Sequence, residues 1–373
     1  MKAQRTLHVA SIALLLLLPA AVPARAADGA ESGLEIHGYG EIHYNNPATG
    51  TMSKGASNEI DVHRIVLGWE YEFDSNLRVE GEVDFEHAAT EIELEEAVLE
   101  YDLAPALSLR VGSLLMPVGP LNEFHEPPLY YSVERPYVQA NVIPTTWQEA
   151  GLGLAGQSGG GGLAWRAYVT AGLDATGFGA LKGIRDGRTH AAESKADDLA
   201  GVGRVVFAPS RGLSLGASGY RGGADQRTPG LGSVDVSMLV ADARWQRGGL
   251  DLRGLAAWAG IDGADSVSAY VGEAVGESIF GWYAEAACDL LHGSAGAAGG
   301  RALVVFGRYE RFDTNNTVPD GFAPAPGADR RVLIAGIAYY PIEKVAFKAD
   351  FERWEDDTDA TLNRVNLGAA FMF

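Results

Sequence analysis

Between Leu77 and Glu86 the chain alternates without a break: Leu77, Val79, Gly81, Val83 and Phe85 are apolar or glycine, and Arg78, Glu80, Glu82, Asp84 and Glu86 are charged. A period of two is that of an extended strand, whose successive side chains point to opposite faces, so this run predicts a strand with one apolar and one charged surface. Comparable runs recur at 36–44, 60–73, 77–87, 92–103, 107–115, 151–156, 163–173, 199–208, 213–220, 234–245, 250–259, 278–290, 302–312, 331–340, 345–354 and 362–373, which makes 16. Their connections alternate between tight ones, such as Asp74-Ser75-Asn76, Ala104-Pro105-Ala106 and Gly248-Gly249, and longer ones at 45–59, 174–198, 222–233 and 313–330. An even number of amphipathic strands with turns at one rim and loops at the other predicts an all-β fold: a 16-stranded antiparallel transmembrane β-barrel with short periplasmic turns and long extracellular loops. Strand 92–103 changes parity between Leu94 and Ala97, which a β-bulge near Glu95-Glu96 repairs.

The N-terminus adds an export signal to this pattern. Lys2 and Arg5 supply a positive start, Leu7 to Leu18 an apolar core, and Ala24-Arg25-Ala26 a small-x-small cleavage pattern, so 1–26 is expected to be a signal peptide and 27–373 a single barrel domain. No later run holds 18 consecutive apolar residues, which leaves strands as the means of crossing a bilayer. Cys288 is the one cysteine and shares its parity with Phe280, Trp282 and Leu290, so it is expected on the lipid-facing side and not as a catalytic thiol. Removal of Lys2, Arg5 and Arg25 with the signal takes the net charge from −20 to −23, which argues against a nucleic-acid partner.

The longest stretch without alternation is 116–150, which contains Pro117, Pro120, Pro127, Pro128, Pro136 and Pro144. Each proline fixes its own φ and restricts its predecessor, so this segment is expected to follow a defined path. At Met116-Pro117-Val118-Gly119-Pro120, at His37-Gly38-Tyr39-Gly40-Glu41, at Gly281-Trp282-Tyr283-Ala284-Glu285, at Arg308-Tyr309-Glu310-Arg311-Phe312 and at Tyr339-Tyr340-Pro341-Ile342, the chain resembles the phosphate-selective porin O and P family and its porin-like relatives. That resemblance implies an outer-membrane location, an inward-folded third loop, a homotrimer, and passive diffusion of small hydrophilic solutes and ions. It also implies recognition by the outer-membrane assembly machinery of the last strand, where Val365, Leu367, Ala369, Phe371 and the terminal Phe373 share one face. The named members of the family concentrate anions with arginines and a lysine-bearing loop. Here the inward segment carries Glu123, His125, Glu126 and Glu134 with Arg135 and no lysine, so phosphate selectivity does not carry over.

Parity assigns Glu35, Glu41, Glu70, Glu72, Glu80, Glu82, Asp84 and Glu86 to an acidic side of the lumen. It assigns Arg110, Arg166, Arg253, Arg308 and Lys348 to an opposing basic side. The acidic surplus predicts a modest cation preference, screened within about 8 Å at physiological salt. The alternatives are an anion- or phosphate-selective porin and a non-conducting structural or adhesion barrel. His37, His43, His63 and His87 lie among the carboxylates, and imidazole with carboxylate suits Zn²⁺. Their spacing forms no compact ligand motif, so neither a metal nor a cofactor is assigned. The histidines cluster with carboxylates and not with a serine, so no nucleophile and base converge in the pattern and no catalytic residues are expected.

Overall fold

The computed structural model describes residues 33–373, except 53–55, 159, 161 and 298. The expected signal peptide lies outside the described residues. The strands are β1 Leu34–Thr49, β2 Glu59–Glu72, β3 Leu77–Glu86, β4 Glu91–Ala104, β5 Leu107–Leu115, β6 Gln148–Gln157, β7 Leu163–Ala171 and β8 Leu199–Ser210, followed by β9 Leu213–Gly223, β10 Asp235–Arg247, β11 Leu250–Asp262, β12 Ser278–Asp289, β13 Ala302–Thr317, β14 Asp329–Ile342, β15 Val345–Asp356 and β16 Thr361–Met372. Each pairs antiparallel with its sequence neighbours, and β16 returns to β1, so the sheet is a closed 16-stranded barrel. Closure leaves no strand edge unpaired, the condition for a sheet to sit in hydrocarbon. No helix among the described residues is long and apolar enough to cross a membrane.

The alternation read from the sequence is what sorts the two faces. Ile65, Leu67, Leu94, Leu99, Leu239, Leu333, Ile337 and Phe347 are all exposed on the outside, an apolar surface too extensive for water. At the parity change in β4 the ladder slips by one: Glu82 pairs with Glu96 but Val83 with Leu94, so Glu95 is the bulged residue and both glutamates turn inward. A second slip, not read from the sequence, lies on β2: Glu41 pairs with Arg64 while Ile42 pairs with Val62, leaving His63 as the extra residue. At the seam the Phe373 N–H donates to the Gly38 carbonyl at 2.9 Å. A Cβ at Gly38 would meet the Val66 carbonyl oxygen at 2.4 Å and the Phe373 ring at 2.9 Å, so only glycine allows this approach.

The long connections gather at one rim. They include L3 (116–147), with the short helix α1 (Tyr137–Asn141), L4 (172–198), and a later loop holding α2 (Ala264–Val271). The connections 87–90 and 357–360 at this rim are short, and 290–301 at the other rim is longer than a tight turn. The sixth strand is longer than the sequence run suggests, because Gln148, Glu149 and Ala150 pair with Leu115, Leu114 and Ser113.

The interior is not uniformly polar. On β10 and β11 the inward residues near the loop rim are Val236, Met238, Val240, Leu255, Ala257, Ala259 and Ile261, all buried. They form one cluster with Val118, Val138, Val142 and Ile143 of L3 and with Leu173, Phe178 and Ile184 of L4. Both loops therefore fold into the barrel, and their apolar residues leave water against an apolar half-wall.

Candidate pore constriction

L3 is pinned at its neck. Met116 donates to the Trp147 carbonyl at 2.9 Å as the loop leaves and rejoins the sheet. The buried Asn122 bridges the same two residues, donating to the Met116 and Trp147 carbonyls at 2.7 and 2.8 Å and accepting from Trp147 N–H at 2.8 Å. A short polar side chain that satisfies three backbone groups explains why so long a loop has a fixed root.

From there L3 crosses the lumen and is tied to both sides. On the acidic side, Arg64 donates to the Glu41 carboxylate at 2.7 Å and to the His125 carbonyl at 3.1 Å. Tyr130 donates to Glu41 at 3.1 Å, and His125 Nε2 lies 2.6 Å from the Tyr39 hydroxyl and 3.0 Å from Glu95. On the far side Lys348 donates to the Pro127 and Ser132 carbonyls at 2.6 and 2.8 Å, and Val133 N–H donates to Asp350 at 2.6 Å. Arg308 reaches Ser132, Glu285 and Glu310, while Glu310 accepts from the Val138 N–H at the start of α1. Arg253 donates to the Leu129 carbonyl and stacks over the Tyr131 ring at 4.5 Å.

These contacts correct the picture of two opposed charged sides. Glu41, Arg308 and Lys348 face inward but are buried beneath L3, where they hold the loop and do not line open water. The basic residues of later strands also meet carboxylates on their own side: Arg204 with Asp242, Arg253 with Asp251, Arg308 with Glu285 and Glu310, and Arg364 with Glu352. Parity alone could not show this, because it gives the face of a residue and not its partner.

Two spaces stay open beside L3: one of about 370 Å³ against β7–β12, walled by Arg204, Asp242, Arg244, Arg253 and Glu285, and one against the β3–β7 side. The second, a cavity of about 300 Å³, is lined by Glu80, Glu96, Glu100, Arg110, Glu123, Phe124 and Arg166. Arg110 sits 2.9 Å from Glu80, 3.1 Å from Glu96 and 3.0 Å from Glu100, and Arg166 sits 2.7 Å from Glu123. Burial pushes the Glu123 carboxyl above its ordinary range, although Arg166 and then Arg110 pull it down. Glu82 faces Glu96 across the ladder, with His37 3.7 Å away. Asp84 is buried beside this group. Glu35, Glu70 and Glu72 continue the acidic side toward the turn rim, where Glu70 pairs with both Glu35 and Glu80, and Glu86 extends it toward the loop rim. Glu126 stays partly open to solvent at the bend before Pro127.

Glu134 has a different role. Burial alone would raise its carboxyl, but the hydrogen bond and charge of His43, 3.5 Å away, hold it at about 2.

On the loop side of L3 the chemistry reverses. A cavity of about 670 Å³ is lined by Tyr137, Arg185, Arg330, Trp354, Asp356 and Arg364. Arg185 donates to the Ala140 and Thr145 carbonyls, and Arg188 to those of Arg185, Pro144 and Thr146, so carbonyls and not carboxylates satisfy them. Burial, and then Arg185, push Arg188 down to about 10. Arg135 belongs to the same group and donates to Thr146. Nothing in the alternation announces L4 as a second inward loop; Leu173, Phe178 and Ile184 within a charged, glycine-rich stretch are the one hint.

No family model matches the chain. Its sequence is 34% identical over 358 residues to an uncharacterized protein of Aquifex aeolicus (strain VF5), covering 91% of this chain and 79% of that one. Among solved structures it is similar to the outer membrane channel DcaP of Acinetobacter baumannii, with a TM-score of 0.60 at 10% identity over 93% of this chain and 99% of that one. It is also similar to an anion-selective porin from Comamonas acidovorans, with a TM-score of 0.59 at 11% identity over 92% and 100%. The trimer form of OmpT, an outer membrane protein of Vibrio cholerae, gives a TM-score of 0.56 at 11% identity over 92% and 99%. Identities this low speak to the fold alone.

Proposed function

We propose that this chain, which belongs to one family with the uncharacterized Aquifex aeolicus protein and has the fold of outer-membrane porins, is itself an outer-membrane porin for small hydrophilic solutes and ions. The observation that carries the reading is the gap between L3 and the β3–β7 side. Anchored loops fill much of the barrel, and this gap and the neighbouring one against β7–β12 both carry charged groups on their walls, as a path for hydrated solutes requires. In the gap against the β3–β7 side four carboxylates face two guanidinium groups, which supports a modest preference for cations. The arginine group on the loop side supports the competing reading, in which anions are drawn to the mouth. A homotrimer is in line with the trimer form of the Vibrio cholerae protein.

Reversal potentials in a planar bilayer under a KCl gradient decide between the two. The wild-type channel is expected to prefer K⁺ over Cl⁻, less so as salt rises, because the Debye length falls from about 10 Å at 0.1 M to about 3 Å at 1 M. Glu82→Gln with Glu96→Gln, two groups that face each other across the ladder, should move the permeability ratio toward one. A wild-type preference for chloride would instead place selectivity at Arg135, Arg185, Arg188 and Arg330. A folded barrel without conductance would sink the porin reading.

Assembly gives a separate test. Phe373 makes the last backbone pair with Gly38 across the β1–β16 seam. Deleting it is expected to lower the yield of folded barrel in the outer membrane, read as the heat-modifiable band on a gel. An unchanged yield would show that closure and recognition do not depend on this residue.

A further inference from the structure

We propose that Asp61, His63 and His87 form a binding site for a borderline-soft divalent cation such as Zn²⁺ at the loop-side mouth of the barrel. The site arises from the bulge on β2. Strict alternation would send Asp61 and Arg64 to opposite faces, but the extra residue at His63 lets both turn inward. His87 follows the last residue of β3, whose Glu86 pairs with Arg64, so the backbone brings it alongside.

The Nδ1 atoms of His63 and His87 lie 3.2 and 2.7 Å from one oxygen, Oδ2 of Asp61, and the three candidate ligand atoms all fall within 4.8 Å of one another. Zinc bonds of about 2.0–2.2 Å place neighbouring ligand atoms roughly 3.3–3.5 Å apart in a tetrahedron, so the His63 contact needs to open by about 0.1–0.3 Å and the His87 contact by about 0.6–0.8 Å, within reach of small side-chain rotations. The side chains are 19%, 29% and 44% exposed, which leaves an approach for the ion and a fourth position for water. The His43 ring stacks on His63 with centroids 4.5 Å apart and planes at 12°, which limits rotation of the His63 ring. His43 is not itself a ligand, because its two nitrogens face Glu41 at 3.0 Å and Glu134 at 3.5 Å. Two imidazoles and one carboxylate suit Zn²⁺, Cu²⁺ or Ni²⁺, whereas Mg²⁺ and Ca²⁺ favour oxygen ligands throughout. The competing reading is that two imidazoles merely hydrogen-bond to Asp61.

The test is Zn²⁺ binding to the untagged, folded full-length barrel in detergent at pH 7.5, measured by calorimetry with Mg²⁺ as competitor. We expect one site per chain that Mg²⁺ does not displace. His63→Ala and His87→Ala should each weaken it roughly tenfold or more, since even the loss of a partner outside the ligand set costs that much. Equal affinity in the double variant, or displacement by Mg²⁺ at matched concentration, would overturn the proposal. A wild-type measurement covers the case in which the variants fail to fold: Zn²⁺ should protect His63 and His87, but not His292, from diethylpyrocarbonate as read by peptide mass spectrometry. Protection of neither residue would equally overturn it.

Discussion

Val83→Arg is expected to cost about 2–4 kcal/mol of barrel stability, the penalty of a basic side chain facing lipid near the bilayer midplane. Glu82→Gln, one residue away, should cost far less, because it keeps the shape of a lumen-facing side chain and removes one of two carboxylates that face each other. Val83 lies in the middle of β3 and pairs with Leu67 and Leu94, which are 43% and 50% exposed on the outer surface. Glu82 points the other way, toward Glu96 and His37. Because the side-chain period of a strand is two, a register wrong by one residue would exchange the two results. Urea titration of the barrel folded into lipid vesicles, followed by tryptophan fluorescence, reads both. A harmless arginine with a disruptive glutamine would invert the assignment of lipid and lumen faces.

That experiment probes the part of the fold most legible in the sequence. Between Leu77 and Glu86 one face is apolar and the other charged, so periodicity alone separates lipid from lumen. The bulge at Glu95 was legible for the same reason: a break in parity within an otherwise regular run has few physical repairs. The bulge at His63 leaves a similar break, Ile60 and Val62 on even positions and Ile65, Leu67 and Trp69 on odd ones, but the inward Val66 merges it into an apolar run and hides it. The apolar half-wall escaped for a related reason. Where Val236, Met238 and Val240 face inward and Leu239 and Ala241 face outward, both faces are apolar, and the run reads only as a buried strand. What covers such an inner surface depends on where L3 and L4 travel, and their paths are set by contacts hundreds of residues apart, such as Lys348 with Pro127. The candidate constriction was therefore legible in its residue types, with Glu80, Glu123, Arg110 and Arg166 all singled out by parity or position. Which of these charges stay in open water and which hold L3 in place was not.

Arg308→Met is expected to lower stability by about 3–5 kcal/mol and to raise single-channel conductance, because removing one member of a buried charged group leaves the others uncompensated. The Arg308 side chain is fully buried, donates at 2.7 Å to both Glu310 and Ser132, and donates at 3.0 Å to Glu285. Its loss leaves Glu310 without a cationic partner in the interior and leaves Glu285 with only the 3.7 Å contact to Arg253. Glu310 also accepts from the Val138 N–H that opens α1, so the change weakens the hold on L3 at its deepest point. Water must then enter to solvate Glu285 and Glu310, and the least costly way in is displacement of the loop from the β12–β13 surface. A wider path follows, because L3, with L4, narrows the lumen. Replacing Glu285 and Glu310 by glutamine in the same background removes both carboxylate charges and should recover part of the stability. Conductance would stay high in that triple variant, since the ties to Ser132 and Val138 are not rebuilt at full strength. Thermal unfolding and bilayer recordings on the single and triple variants separate the two effects. If neither stability nor conductance moves in Arg308→Met, the apolar cluster of Val138, Val142 and Ile143 with the inner wall holds L3 unaided.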